Sequence, residues 1–525
     1  MTTPNILFLQ VDQLAAEYLK FYGDRVCQSP NLERLATEGM VFERAYCNFP
    51  LCAPSRFSMA TGLLCSANGA YDNGAEMAAT IPTYAHYLRR QGYQTALSGK
   101  MHFVGPDQFH GFEQRLTADI YPADFSWGPV WGAGRNADVN DPRTLTTSGV
   151  AGRTVQMDYD ERVAFEAIQH LYRIARRADR RPFFLQVSFT HPHEPFLCAQ
   201  EFWDLYEGAD IEVPDALDPA ELDPHSLRLM QDCGVLNYSM SDEERRRAIR
   251  AYYGSVSYID NLIGQVLATL RSTGLDKNTV IVFTSDHGDM LGHHGMWFKK
   301  SFYDQSARVP LIISGPDIAP QRVDELVSLV DLLPTFMGIA CSGNWSGAVE
   351  QLEGTDLLEL IQKNGAPARS VYAEYLAESA TSPIFMIRRD DWKFIYSPSD
   401  PNLLFNLADD PRERNNLADQ KDYEDLVAAF QAEVEAKWNI ETIGKQVMLS
   451  QKRRRLVREA MNEGAPVRWN HGEHTLEETP WYRGGGSYNE WALTHLAADG
   501  SPKTPALVEG ESDERPSPAS IIKPK

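Results

Sequence analysis

Long apolar runs are missing from this 525-residue sequence. No stretch approaches the roughly 20 consecutive apolar residues a membrane-spanning helix needs, so no membrane partner is expected. Positive charge is also scarce: 50 Lys and Arg stand against 72 Asp and Glu, a formal charge of −22. Phosphate binding is driven by Lys and Arg, so a nucleic-acid partner is not expected either. An acidic field repels anions in bulk, and any anion site must be a local cluster of cations. Cysteine is sparse: seven residues, odd in number and scattered, fit a reducing, cytoplasmic setting better than a disulfide framework. Between Met1 and Asn5 there is no basic segment and no small-residue cleavage site, so no export signal is expected. No repeat of solenoid or propeller period occurs.

What is present is the pattern of an α/β enzyme. Single cores stop growing at roughly 250 to 300 residues, so this length predicts a large domain with a smaller one. Short β-branched-rich runs at Ile6–Val11, Gln94–Ser98, Phe183–Phe189, Thr279–Thr284 and Val309–Ser314 alternate with helix-like segments such as Pro30–Glu38 and Arg247–Arg271. That alternation predicts a mostly parallel central sheet with helices on both faces. From about Ser370 shorter strands, Met386–Arg388 and Trp392–Tyr396, predict a small C-terminal antiparallel-sheet domain. The spacing of Leu426, Val427, Phe430, Val434 and Trp438 predicts an amphipathic helix packed on the body. We divide the chain into a catalytic domain at 1–368, a small α+β domain at 369–440, an extension at 441–499 and a disordered tail at 500–525, rich in Pro, Ser and Glu.

Polar residues follow the predicted strands. Asp12 follows the first, Lys100 and His102 the second, His191 the third, and Asp286 with His287 the fourth. Ligands of open α/β sheets bind beyond the carboxyl ends of the strands, so these distant residues can converge. Two carboxylates and an imidazole without a thiolate cluster suit one divalent cation, Ca²⁺ before Mg²⁺ or Mn²⁺, rather than structural zinc. Taken singly, Asp12 reads equally as a helix cap and Asp286-His-Gly288 as a turn.

Cys52 lies in Leu51-Cys-Ala-Pro-Ser-Arg56, which runs on to Met59-Ala-Thr-Gly62. A lone Cys is ordinarily a small buried hydrophobe. These neighbours, however, resemble the signature of the formylglycine-dependent sulfatases, a family of alkaline-phosphatase-like fold whose Cys is oxidised to an aldehyde by a maturation enzyme. The resemblance covers roughly residues 4 to 420. It implies that Asp12, Asp286, His287 and position 52 hold the metal. Gln13 and His287 stand where many members carry Asp and Asn, and Gln13 is offered as a further ligand through its amide oxygen. It also implies that Arg56 braces the nucleophile. A hydroxyl of the hydrated aldehyde would attack sulfur, Lys100 and Lys299 would neutralise sulfate charge, His191 would protonate the leaving alcohol, and His102 would take the proton that regenerates the aldehyde. His193 reads as a loop histidine and is left out.

Further segments resemble the choline-sulfatase branch: Tyr71-Asp-Asn-Gly-Ala-Glu76, Ile81-Pro-Thr-Tyr-Ala-His86, Leu97-Ser-Gly-Lys-Met-His102, Gly105-Pro-Asp-Gln108 and Asp119-Ile-Tyr-Pro-Ala-Asp124. The resemblance implies choline O-sulfate as substrate, with Asn73, Trp127 and Glu378 binding it. A quaternary ammonium needs aromatic faces and a carboxylate because it cannot donate a hydrogen bond. The branch carries a C-terminal extension that supports a dimer or tetramer; here that region, Trp481 to Trp491, diverges, and Asn489 is the nearest match for its acidic residue. The segment Gly128–Gly152 diverges too. Competing readings are a phosphonate, phosphate or other sulfate monoester hydrolase of the same fold, and an inactive protein that binds sulfate esters.

Overall fold

The computed structural model of the protein describes residues 3–129, 131, 140–362, 369–465, 468–472, 480–483 and 487–504. Of the proposed tail at 500–525, residues 505–525 lie outside the described residues, as does part of each divergent segment, while Pro502–Lys503 pairs as a short strand with His495–Leu496. Eight strands build the central sheet: β1 (Asn5–Val11), β2 (Met40–Tyr46), β3 (Gln94–Gly99), β4 (Gln114–Arg115), β5 (Phe183–Ser188), β6 (Thr279–Ser285), β7 (Leu311–Ser314) and β8 (Gln321–Ser328). Their order is β8-β2-β7-β6-β1-β5-β3-β4. β7 runs antiparallel to both neighbours, and every other pairing is parallel. The expected mostly parallel sheet is therefore observed.

Strand β1 shows why such a sheet must be covered on both sides. Its side chains alternate faces, so Ile6 and Phe8 enter one hydrophobic core while Leu7, Leu9 and Val11 enter the other. Helices α1 (Pro30–Glu38), α3 (Val155–Arg176) and α4 (Asp242–Ser272) supply the second core; α2 (Cys52–Thr61) belongs to the first. Helix α4 starts earlier than its apolar period, because Ser241 and Glu244 form a reciprocal capping box and acidic residues fill the first turn. Strands β2 and β8 escape the apolar-run reading because Glu43, Arg44, Asp324 and Glu325 interrupt them. Charges are tolerated on β8 because it is a sheet edge.

The chain then forms an antiparallel meander of β9 (Ser370–Tyr375), β10 (Ile384–Arg389), β11 (Trp392–Ser397) and β12 (Asp400–Asn406). Helix α5 (Glu424–Lys437) covers it, with Phe430 stacked 5.5 Å from Phe394. Helix α6 (Ile440–Asn462) follows. Among the described residues no helix is long and apolar enough to cross a membrane.

Register sets the site. Val11 pairs with Ser285, Gln10 with Ser188, and Gly99 with Ser188, so β1, β3, β5 and β6 end at one level. Asp12, Lys100 and Asp286 are the next residues on three of those strands. Gly99 has φ +110°, and a Cβ there would lie 1.8 Å from the Ser188 carbonyl oxygen. Gly99→Ala should destabilise the fold by about 2 kcal/mol or more, from left-handed strain and the clash together; urea unfolding of wild type and variant checks this.

Candidate active site

The nucleophile candidate Cys52 is the first residue of α2, a helix buried along its whole length. The positive end of the helix dipole therefore points at the site, an arrangement that favours an anion. Cys52 Sγ lies 3.3 Å from His287 Nε2 and 3.8 Å from Asp12 Oδ1. His287 Nε2 is in turn 3.8 Å from Asp12 Oδ1 and 3.7 Å from Asp286 Oδ1. Ligand atoms of Asp12, Cys52, Asp286 and His287 all lie within 4.8 Å of one another, and all four residues are buried.

Arg56, one helical turn beyond Cys52, holds this group together. Its Nε donates to Asp286 Oδ2 at 2.7 Å and its Nη2 to Asp12 Oδ2 at 2.9 Å. Nη1 donates to the Lys100 carbonyl at 2.6 Å and to Ser188 Oγ at 2.7 Å. Lys100 Nζ donates to Asp12 Oδ2 at 2.5 Å. Burial alone would push the Asp12 carboxyl up, but Lys100 and Arg56 override it and hold Asp12 well below the usual carboxylate range. Burial would also strip the proton from Lys100, yet Asp12 raises its pKa, so the ammonium persists. His287 faces the Gly288 carbonyl with Nδ1 at 3.0 Å, so Nδ1 carries the proton and Nε2 keeps its lone pair. Burial lowers the pKa of this ring, which keeps it neutral. Two carboxylates and a neutral imidazole nitrogen around position 52 are a donor set that fits a divalent cation.

The Gln13 side chain is placed elsewhere. Its amide oxygen accepts from Lys299 Nζ, and its amide nitrogen donates to Glu194 Oε2 at 2.7 Å and Asp289 Oδ2 at 2.5 Å. Only its backbone N–H reaches the metal group, at Asp286 Oδ1, 3.1 Å away. Both amide ends are thus engaged, and the Gln13 side chain brackets Lys299.

The two neighbouring histidines take different places. His191 Nδ1 is bound by Asp160 Oδ2 of α3 at 2.7 Å, and its ring meets Tyr258 of α4 edge-on at 4.9 Å. It is built into the helical layer, and its carbonyl receives the Asp12 N–H at 3.4 Å. His193 instead places Nε2 2.9 Å from Lys299 Nζ and fixes Nδ1 on the Glu194 carbonyl at 2.8 Å. His193, and not His191, is therefore the ring that lies beside Lys299. In a His-Pro-His turn the sequence cannot tell which ring faces the cavity.

His102 follows in a left-handed conformation, φ +61°, held by Asp119 Oδ2, which accepts the N–H groups of Met101 at 2.9 Å and His102 at 2.8 Å. Burial and the Lys100 charge lower its pKa to about 3, so the ring is neutral. Among the described residues, both ring nitrogens lack a hydrogen-bond partner. The ring contacts Tyr121 and Trp127 at 5.0 and 5.3 Å. Trp127 also meets Tyr121 at 4.9 Å, Tyr488 at 5.1 Å and Tyr482, stacked, at 5.7 Å. Lys100 Nζ sits 4.3 Å over the Tyr121 ring. Asn73 Oδ1 accepts the Ala53 N–H at 3.0 Å, capping the first turn of α2. Glu378 is buried beside Tyr375, whose hydroxyl donates to the Glu378 carbonyl at 2.9 Å. Asn489 is the second residue of the short helix that Tyr488 begins.

Asp119, Asp160, Glu194 and Asp289 escape sequence reading because a buried acid looks like any other acid until its partner is known. Tyr482 and Tyr488 escape it because they arrive from more than 350 residues away.

Two outcomes test these placements. Gln13→Ala should lower kcat/KM by about 10- to 100-fold through Lys299, while divalent metal per chain, measured by elemental analysis, stays at the wild-type value; parallel metal loss would return Gln13 to the ligand set. Glu194 is the acid-stability marker. Burial raises its pKa, but His193 and Lys299 outweigh this and hold it down to about 2 from 4.5. Its contribution, about 3 kcal/mol, is present above pH 4.5 and lost as pH falls toward 2. Glu194→Gln should flatten that limb of the stability curve, read by urea melts at stepped pH.

Comparison with known proteins finds relatives over most of the chain. The family model Sulfatase matches residues 4–342, and the model N-sulphoglucosamine sulphohydrolase, C-terminal, matches residues 292–439. The choline-sulfatase of Rhizobium meliloti (strain 1021) is 44% identical over 489 residues, 90% of this chain and 94% of that one. An arylsulfatase of Clostridium perfringens is 30% identical over 81% of this chain and 92% of its own. In fold, the phosphonate monoester hydrolase of Agrobacterium radiobacter superimposes with a TM-score of 0.66 at 21% identity, over 82% of this chain and 95% of that one.

Proposed function

The chain belongs to the sulfatase family, a hydrolase of sulfuric esters, and we propose that within it the substrate is choline O-sulfate, cleaved to choline and sulfate. The observation that carries this reading is the aromatic group of Tyr121, Trp127, Tyr482 and Tyr488 beside His102 and Lys100. Aromatic faces attract a quaternary ammonium, which offers no hydrogen bond. The 44% identity to a choline-sulfatase supports it. Asn73 and Glu378 complete the substrate contacts in this proposal.

Oxidation of Cys52 to formylglycine by a maturation enzyme supplies a hydrated aldehyde as nucleophile. Asp12, Asp286, His287 and position 52 would hold a divalent cation, with calcium the first expectation and magnesium or manganese next, which would offset charge on the sulfate and favour deprotonation of the attacking hydroxyl. The protein's own groups do the rest. Arg56 and Lys100 keep Asp12 ionised. Lys100 and Lys299 receive the sulfate oxygens in a buried site, where fixed cations act strongly. His193, beside Lys299 and fixed at Nδ1, delivers the proton to the departing alcohol. Neutral His102 accepts the proton released when the aldehyde is restored. A cytoplasmic setting and a homo-oligomer formed through the 441–499 extension belong to the same proposal.

The test is kcat/KM for choline O-sulfate beside nitrophenyl sulfate, on protein whose Cys52 oxidation is confirmed by peptide mass. A preference for choline O-sulfate of about 100-fold or more is expected, and Cys52→Ala should turn over neither ester. Cleavage of the aryl ester alone would remove choline, and cleavage of phosphonate esters alone would move the reaction to phosphorus.

A further inference from the structure

Helix α6 lies beyond the catalytic sheet, yet one of its side chains reaches the substrate side of the site. Arg454 is buried, and its Nη1 and Nη2 donate to the two carboxylate oxygens of Asp72 at 2.8 and 2.6 Å. Asp72 is fully buried, and its Oδ1 also accepts the Gly74 N–H at 2.9 Å. Between them sits Asn73, whose side chain caps α2 at Ala53, next to Cys52. The same guanidinium lies against the loop that carries Trp127. A Cβ built on Gly74 would lie 1.1 Å from the Trp127 carbonyl oxygen and 3.2 Å from Arg454 Nη1, and one built on Gly128 would lie 2.9 Å from Arg454 Nη1. The 72–74 turn and the 127–128 backbone are thus in direct contact, and Arg454 bears on both.

We propose that Arg454 is a positioning residue that sets substrate selectivity by locking the Asn73 cap and the Trp127 loop into one geometry. The bidentate fork explains why the position needs arginine: a lysine ammonium could neutralise Asp72 but could not bond both oxygens in plane while lying flat beside two glycine backbones. The inference rests on the choline reading for its substrate, but not for the positioning itself. Arg454 touches no reacting atom in this scheme. Its loss acts on the half of the site that recognises the alcohol, and leaves Arg56, Lys100, Lys299 and the metal group in place.

Arg454→Lys, and Arg454→Met paired with Asp72→Asn to avoid a buried unpaired carboxylate, separate this from a merely structural role. Hydrogen exchange followed by mass spectrometry should show peptides covering 71–76 and 125–129 exchanging faster in both variants, with strands β1 and β6 unchanged. Selectivity, the ratio of kcat/KM for choline O-sulfate to that for nitrophenyl sulfate, should fall about tenfold. Unchanged exchange in those two peptides overturns the positioning role. Faster exchange with equal losses on both esters overturns the selectivity role. A wild type that shows no preference for choline O-sulfate defeats the substrate reading alone, because the exchange result still decides whether Arg454 holds the two segments.

Discussion

Everything at the site hangs on the buried guanidinium of Arg56. It joins the ends of β1, β3, β5 and β6 to helix α2, through Asp12, the Lys100 carbonyl, Ser188 and Asp286. Removing a cation from water is costly, and only a full set of partners offsets it. Two carboxylates and two oxygen acceptors meet that condition, so Arg56 can sit fully buried and still be charged. The same bonds hold Asp12 ionised. Loss of Arg56 would leave two carboxylates facing each other in a dry site.

A second electrostatic unit lies beside the first. Lys299 is bracketed by Gln13, Glu194 and His193, while the Gln13 amide ties Glu194 to Asp289. An amide can do this because it offers an acceptor to the lysine and donors to both acids at once, which a carboxylate at position 13 could not. The chain carries a formal charge of −22, so an anionic group is attracted only where buried cations are held this firmly. Lys100, Lys299 and the amino end of α2 make that place.

The alcohol side of the site has a different physical basis. Tyr121 and Trp127 come from the loop after β4, Tyr482 and Tyr488 from the C-terminal extension, and Arg454 from α6. In the proposed reading, sulfate chemistry falls to the strand ends, and alcohol recognition to loops and the distal chain. Such a division lets one family keep its reaction while its substrates change.

How much of this was legible in the sequence follows from the range of each interaction. Strands β1, β3, β5 and β6, the small antiparallel sheet, and the strand-end placement of Asp12, Lys100, Asp286 and His287 follow from local apolar patterning, which a linear sequence records. The Cys52 signature is local as well, and with it went Arg56 one helical turn later. Strands β2 and β8 were hidden because charges on outer strands break the apolar pattern. Which of His191 and His193 faces Lys299, and where the Gln13 amide points, were decided only by tertiary structure. Both answers depend on partners supplied by other elements: Asp160 on α3, Lys299 and Asp289 after β6. The pairing of Asp72 with Arg454 spans 382 residues. Composition and periodicity carry no record of such a pair; only the packing of α6 against the catalytic body brings it together.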